Sequence, residues 1–339
     1  MPASDAPLFG SAKLFWRSLL ACGALILAMC LLNASIDPTG QIGLAKTHAL
    51  NRTVTPSVVS FVRNSGSVTA YESAIATTSA DTFLIGTSRE ARGFDLCDRP
   101  NILRIAGSGW GIREIAQVHT KILETRTAPT TLLIELGVVS DSKGAGESSN
   151  ASAAYTALSP RTTWLSFQTV AANIRRSDEI AVREAECRPL TSDPVDLKAA
   201  AEDFEFGWRT FDASKASRQR GRATLEQMVG DANRICAKTD IRHTIVYFSL
   251  PGTPNLPLTQ QFDASLRDAQ RDSAKMFQGL PRHGACRIRY LDLQTTPPGS
   301  SAEQQLWRDR DQWGDLTHFS PLLGRIALNA ILRSTDNER

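Results

Sequence analysis

Apolar residues along this chain fall into one long run and a series of short ones. The short runs, Thr82–Ile85, Ile102–Ala106, Thr131–Leu136, Thr244–Leu250 and Ile288–Leu293, alternate with stretches of helical period at Ile112–Glu124, Ala199–Ile235, Gln260–Phe277 and Leu322–Leu332. Runs that are apolar on both faces and separated by helices predict a parallel sheet covered on both sides. The fold class expected is therefore α/β, a three-layer α/β/α sandwich on a mainly parallel five-stranded sheet, spanning residues 81–335. The rhythm breaks around residues 140–203, which open with the soft segment DSKGAGESSNASAA and continue with a helical stretch at Thr162–Ile174. This part reads as an insertion over one edge of the sheet. A polar, Ser/Thr-rich stretch over residues 37–80 reads as a linker with some local structure.

The long run, Ser18–Ile36, carries no charge and has the length to cross a hydrocarbon core as a helix. Lys13 and Arg17 precede it and Asp37 follows, so the positive-inside bias places residues 1–17 in the cytoplasm and the rest beyond the membrane. The expectation is a single-pass protein of the inner (cytoplasmic) membrane whose domain is periplasmic or otherwise extracytoplasmic. Two other readings fit less well. A cleaved secretory signal ending at Leu32-Asn33-Ala34 puts a large residue where small ones belong, and a lipoprotein signal at Leu19-Leu20-Ala21-Cys22 comes too early in the run. All three export the domain.

A net charge of +3, with Lys and Arg spread along the chain, is no nucleic-acid footprint. Cys22 and Cys30 lie in the apolar run; Cys97, Cys187, Cys236 and Cys286 lie outside it. In an oxidising compartment these four favour disulfides, with three connectivities open, over buried free thiols. No Cys or His stands at metal-ligand spacing, so neither a metal nor a cofactor is expected.

In a parallel sheet ligands bind beyond the carboxyl ends of the strands, so residues just after each strand are the place to seek chemistry. Gly86-Thr87-Ser88-Arg89 follows the first strand, at a tight turn that suits an exposed nucleophilic hydroxyl, though it reads equally as an ordinary helix cap. Asp315-Leu316-Thr317-His318 precedes the last helix and offers a base together with a carboxylate to orient it. Ala106-Gly107-Ser108-Gly109-Trp110-Gly111 follows the second strand; glycine there permits close approach to backbone oxyanion donors, against a plain glycine-rich connection or a phosphate loop. A dinucleotide fingerprint does not fit, because the run sits on the second strand and lacks its acidic partner.

Taken together, LIGTSRE, IAGSGWGIRE, TLLIELG and DLTHFSPLLG resemble the SGNH (GDSL-type) hydrolase superfamily, in its membrane-anchored, exported branch; the Asp-Pro after the long run and SPRTTWLSFQTV are similar to that branch as well. The likeness covers most of the chain at low identity. It implies Ser88 as nucleophile, His318 as base, Asp315 as the orienting carboxylate, and the N–H groups of Ser88 and Gly109 as oxyanion donors. One departure stands out. The asparagine usual after the third strand is missing from Glu135-Leu136-Gly137-Val138-Val139-Ser140-Asp141, and none follows before Asn150. A lost oxyanion donor costs about a hundredfold or more in rate.

The resemblance implies an exported serine esterase or O-acyltransferase acting on a carbohydrate polymer through an acyl-serine, with a multi-spanning acyl-donor protein as partner if the reaction is transfer. The competing class is a non-catalytic polysaccharide-binding or assembly protein with a degenerate site. His48, His119, His243 and His283 read as linker, helix face, strand start and turn. Trp110 reads as a sugar platform or core, Arg89 and Arg92 as anion contacts or solvated surface, and Trp307 and Trp313 as pocket lining or loop anchors.

Overall fold

The computed structural model describes residues 8–37, 78–107, 110–141, 157–175, 215–252, 260–281, 284–314 and 318–336, with a few single positions besides. The soft segment, most of the expected linker, and His48, Gly109, Asn150, Cys187, His283 and Asp315 lie outside the described residues.

Five strands, β1 (Thr82–Gly86), β2 (Ile102–Ala106), β3 (Thr131–Glu135), β4 (Thr244–Ser249) and β5 (Arg287–Asp292), form one sheet in the order β2-β1-β3-β4-β5. All pairings are parallel, so the expected α/β sandwich on a parallel sheet is present. Each strand closely matches an apolar run of the sequence. Alternate residues feed the two faces. Phe83, Ile85, Leu132, Ile134, Ile245 and Tyr247 pack beneath α3 (Ile112–Thr125), α5 (Lys215–Thr239) and α6 (Gln260–Gln278). Leu84, Leu133, Val246 and Phe248 meet α8 (Pro321–Asp336) and an aromatic group on the other face. The remaining elements are α1 (Leu8–Ile36), α2 (Ser88–Gly93), α4 (Pro160–Arg175) and α7 (Ser301–Leu306).

Contacts divide the chain into two units: residues 1–59 with 151–182, and residues 60–150 with 183–339. The first unit holds α1, which over Lys13–Ile36 is long and apolar enough to cross a membrane. The same unit holds α4, close to the helix expected at Thr162–Ile174. In the second unit the core extends into the stretch expected to be linker: Tyr71 and Ile75 are buried, and the Tyr71 hydroxyl donates to the Ala106 carbonyl at 2.8 Å. Two scattered aromatic and aliphatic residues in a polar stretch carry no periodicity, which is why the core edge was invisible there.

Cys236 on α5 is disulfide-bonded to Cys286 ahead of β5, across a sequence separation of 50 residues, and Cys97 is disulfide-bonded too. In the chain-entropy view, closing a loop of that length stabilises the fold by about 4 kcal/mol.

His119 on α3 is fully buried and neither ring nitrogen finds a hydrogen-bond partner among the described residues. Burial is the main cause that pushes its pKa down to about 4, with nearby Asp231 acting upward and His243 downward. The folded state therefore refuses a proton that the unfolded chain accepts below its ordinary value of 6.5. Stability from this group is complete above that value, and falls as pH drops from 6.5 towards 4, by up to about 3 kcal/mol. Denaturant unfolding at a series of pH values should show a shallower loss over that window in His119→Leu than in the wild type; parallel curves would mean that the histidine is not the titrating group.

Candidate active site

The strand order reverses direction between β1 and β3: the chain moves from β1 outward to β2, then returns across β1 to β3 and on to β5. Such a reversal leaves a crevice beyond the carboxyl ends of the two central strands, where connections depart to opposite sides. Ser88 stands there, two residues past the end of β1, as the first residue of α2. Thr87 caps that helix, its hydroxyl accepting from the Arg89 N–H at 3.3 Å.

His318 arrives from the other end of the chain. Its loop is closed by an antiparallel bridge between Trp313 and Phe319, by the Gly314 N–H donating to the His318 carbonyl at 2.9 Å, and by the Ser320 N–H donating to the Gln312 carbonyl at 2.7 Å. Phe319 packs edge-on to Phe94 and Trp313 and tilted against Trp307, all four rings buried. This aromatic group fixes where the loop ends. His318 Nε2 thereby lies 2.9 Å from Ser88 Oγ, both side chains half-buried. With that nitrogen unprotonated, the hydroxyl donates to it, which is the arrangement that lets an imidazole take a proton from an attacking serine. The structure thus brings together Ser88 and His318, and leaves Asp315 and Gly109 outside the described residues.

Beneath Ser88 lies a group of charges that the sequence pattern did not announce. The carboxylate of Glu135, at the end of β3, accepts from the Thr87 hydroxyl at 2.8 Å and from the Thr87 N–H at 3.3 Å, and pairs with Arg89 at 3.4 Å. Arg89 reaches on to the carbonyls of Leu250 and Pro251 past β4 and lies over the Phe319 ring. Arg89 is thus tied into the site rather than solvated. Glu90 is fully buried beside Glu135, and neither of its oxygens makes a well-formed hydrogen bond among the described residues. Burial above all, then the Glu135 charge, pushes the Glu90 carboxyl well above its ordinary value. These causes favour its neutral form, next to a Glu135 carboxyl that is paired with the Arg89 guanidinium. A methyl group on Gly86 would fall 1.7 Å from Glu90 Oε2, so glycine at the strand end is what admits that carboxyl.

The far end of α2 is fixed as well. Arg104, in the middle of the apolar run of β2, is buried and donates to the carbonyls of Ala91 and Phe94. A cation on the last carbonyls of a helix satisfies groups that have no partner within it.

The remaining candidates resolve into structural roles. Trp110 is buried edge-on to Tyr71 and against Gly107, where a methyl group would lie 2.0 Å from the indole nitrogen. It belongs to the core. Trp307 and Trp313 anchor the His318 loop, and His119 and His243 are buried away from it. Asp141, in the segment that lacks the asparagine, accepts from Arg113 and from Arg220. The Arg113 hydrogen bond is the first cause holding its carboxyl below the ordinary value, against the opposing effect of burial.

The two buried glutamates should respond differently to substitution. Glu90→Gln keeps the volume of a group that is already neutral and should alter stability by less than about 1 kcal/mol. Glu135→Ala strips Arg89 and Thr87 of their partner and should cost about 3 kcal/mol. Chemical denaturation of the two variants beside the wild type reads the difference; equal losses would refute the assignment of Glu90 as the neutral member.

No protein-family model and no curated protein matches the chain, so the chemistry of Ser88 and His318 stands on their own geometry.

Proposed function

We propose that the chain is a membrane-anchored serine enzyme of SGNH type, an esterase or O-acyltransferase for a cell-surface or exported polysaccharide. The observation that carries this reading is the hydrogen bond between Ser88 Oγ and His318 Nε2, 2.9 Å long and joining residues 230 apart in sequence. Ser88 Oγ attacks the ester carbonyl while His318 Nε2 takes its proton, giving a tetrahedral oxyanion. Collapse of that oxyanion expels the alcohol, which leaves with the proton from His318 and leaves the acyl group on Ser88. Water, or a sugar hydroxyl in the transfer reaction, then enters by the reverse route. The resemblance gives Asp315 the part of orienting the second imidazole nitrogen in this scheme, and the N–H groups of Ser88 and Gly109 that of oxyanion donors. A lone carboxylate next to the nucleophile would oppose the developing negative charge. Arg89 offsets Glu135, and Glu90 is neutral, so the floor of the site adds no net charge.

The carbohydrate substrate and the acyl-donor partner follow from the motif resemblance together with export. α1 supplies the membrane anchor, and Lys13 and Arg17 before it set the domain on the extracytoplasmic side. The missing asparagine after β3 favours a second reading, a polysaccharide-binding protein that retains the fold with a weakened site.

A fluorophosphonate should label the full chain, and an activated acetyl ester should be hydrolysed. Ser88→Ala should abolish the labelling, and Ser88→Ala and His318→Ala should each lower hydrolysis by at least about 10³-fold. Asp315→Asn should lose much of the rate, with no further loss when combined with His318→Ala, because members of one catalytic unit fail together. Labelling that persists in Ser88→Ala refutes the nucleophile, and an unreactive native protein favours the binding reading.

The membrane part is tested separately. The full chain should stay with membranes through alkaline carbonate washing; release into the supernatant would overturn the anchor.

A further inference from the structure

Helix α4 is built inside out. Its buried face carries Thr162, Leu165, Ser166 and Thr169, three of them polar. Its opposite face carries Trp164, Phe167, Ala171 and Ile174, spaced by three, four and three residues and so aligned in one stripe. Of these, Trp164 is 64% exposed, Phe167 56% and Ile174 74%, and no charged residue interrupts the stripe between them. A helix packed on a protein in water presents the reverse arrangement, apolar inward and polar outward.

What α4 packs against explains the inversion. Within the same unit it lies on α1, and the contact is polar. Asn33, 0% exposed and one turn before the end of α1, donates through Nδ2 to the Ala157 carbonyl at 2.7 Å and to Thr163 Oγ1 at 2.9 Å. It accepts at Oδ1 from Ser166 Oγ at 3.0 Å. Thr169 Oγ1 turns back to the Leu165 carbonyl at 2.8 Å, so the Ser166 and Thr169 hydroxyls are satisfied within the pair. Helices that meet in lipid join in this way, through Ser, Thr and Asn, because surrounding hydrocarbon gives apolar side chains no reason to leave the outer surface. The outward surface of α1 is apolar too, with Leu14, Leu20, Leu25, Leu27 and Leu31 more than half exposed. α4 meets α1 at Asn33, near the carboxyl end of α1, which is the depth at which tryptophan is favoured in a bilayer.

We infer that the Trp164, Phe167, Ala171 and Ile174 face of α4 lies in the lipid interface, so that the chain is held to the membrane by a helix pair, one member spanning and the other seated at its end. The inference rests on the assignment of α1 as the membrane anchor, and the two are separable by experiment. Full-length chains with Cys22→Ser and Cys30→Ser would carry a nitroxide at one of Trp164→Cys, Phe167→Cys or Ile174→Cys, in nanodiscs of phosphatidylethanolamine and phosphatidylglycerol. Leu20→Cys on α1 serves as the anchor control, and Gln227→Cys, exposed on α5, as the aqueous control. Collision rates with dissolved oxygen and with a water-soluble nickel chelate are then compared. The expected result is an oxygen-to-nickel ratio several-fold higher at the three α4 positions and at Leu20 than at Gln227. A ratio at the α4 positions equal to that at Gln227, with Leu20 still lipid-exposed, overturns the inference and leaves the anchor standing. A water-exposed Leu20 overturns the anchor itself. Low collision with both reagents at the α4 positions, with spin–spin broadening or a protein crosslink, means that a second copy or another protein covers the stripe, and overturns the assignment to lipid.

Discussion

Ser88 and His318 meet because two helices approach each other at glycines. A methyl group on Gly324, in the first turn of α8, would fall 1.9 Å from the Gly93 carbonyl oxygen at the end of α2, and one on Gly93 would fall 2.1 Å from the Phe319 ring. No side chain larger than hydrogen fits either place without moving backbone or a packed ring, and overpacking of that kind costs about 1–3 kcal/mol. Ser88 begins α2, and His318 immediately precedes Phe319 and the start of α8. A shift of the α2–α8 contact by an ångström would therefore open the 2.9 Å hydrogen bond past any useful distance. The aromatic group of Phe94, Trp307, Trp313 and Phe319 supplies the apolar burial that holds the contact closed.

Placing Ser88 at the reversal of strand order carries an electrostatic cost. The ends of β1 and β3 converge there, and each contributes a glutamate, Glu90 through α2 and Glu135 directly. Two ionised carboxylates in a buried space would repel strongly, so one takes up a proton. The other is neutralised by Arg89, which also accounts for the two carbonyls past β4. The Ser88 turn is thus tied to β3 by the Thr87–Glu135 bonds and to the β4 end by Arg89, while Arg104 secures the other end of α2. Three strands, β2, β3 and β4, hold one short helix. That is the rigidity a reacting hydroxyl needs.

The sheet was legible because fully buried strands leave uninterrupted apolar runs, and β1 to β5 match those runs to within a residue or two at each end. Ser88 and His318 were legible for a related reason: a polar side chain beyond a strand end or before a helix is marked by the element it borders. The glutamates were not. Glu90 looks like an exposed position in a polar helical turn, and Glu135 looks like the polar end of a strand, since their burial arises only when β1 and β3 come side by side. Arg104 inside ILRIA was hidden by its apolar neighbours, and its role becomes visible only once the end of α2 lies above it. Tyr71 and Ile75 were missed because two core residues in a polar stretch form no pattern. What the sequence conceals is therefore the interaction between elements far apart in the chain.

The two units of the chain solve one problem in opposite ways. In both, buried polar groups must find partners, since an unmet donor or acceptor away from water costs about 1–3 kcal/mol. The sheet unit buries hydrocarbon on both faces and gathers many of its buried polar groups into clusters such as Thr87, Arg89 and Glu135, with burial favouring the uncharged forms of His119 and Glu90 instead. The α1–α4 pair instead buries Asn33, Thr162, Ser166 and Thr169 against one another and turns its Trp, Phe and Ile residues outward. One sequence carries both patterns, and the hydroxyl-rich contact of α4 on α1 leaves outward the kind of apolar side chain that the sheet unit turns in. Removing the Asn33 amide would leave the Ser166 hydroxyl with only its intrahelical bond to the Thr162 carbonyl, at 2.9 Å, and would take a donor from the Ala157 carbonyl and the Thr163 hydroxyl, so Asn33 ties α1 to α4 at three points.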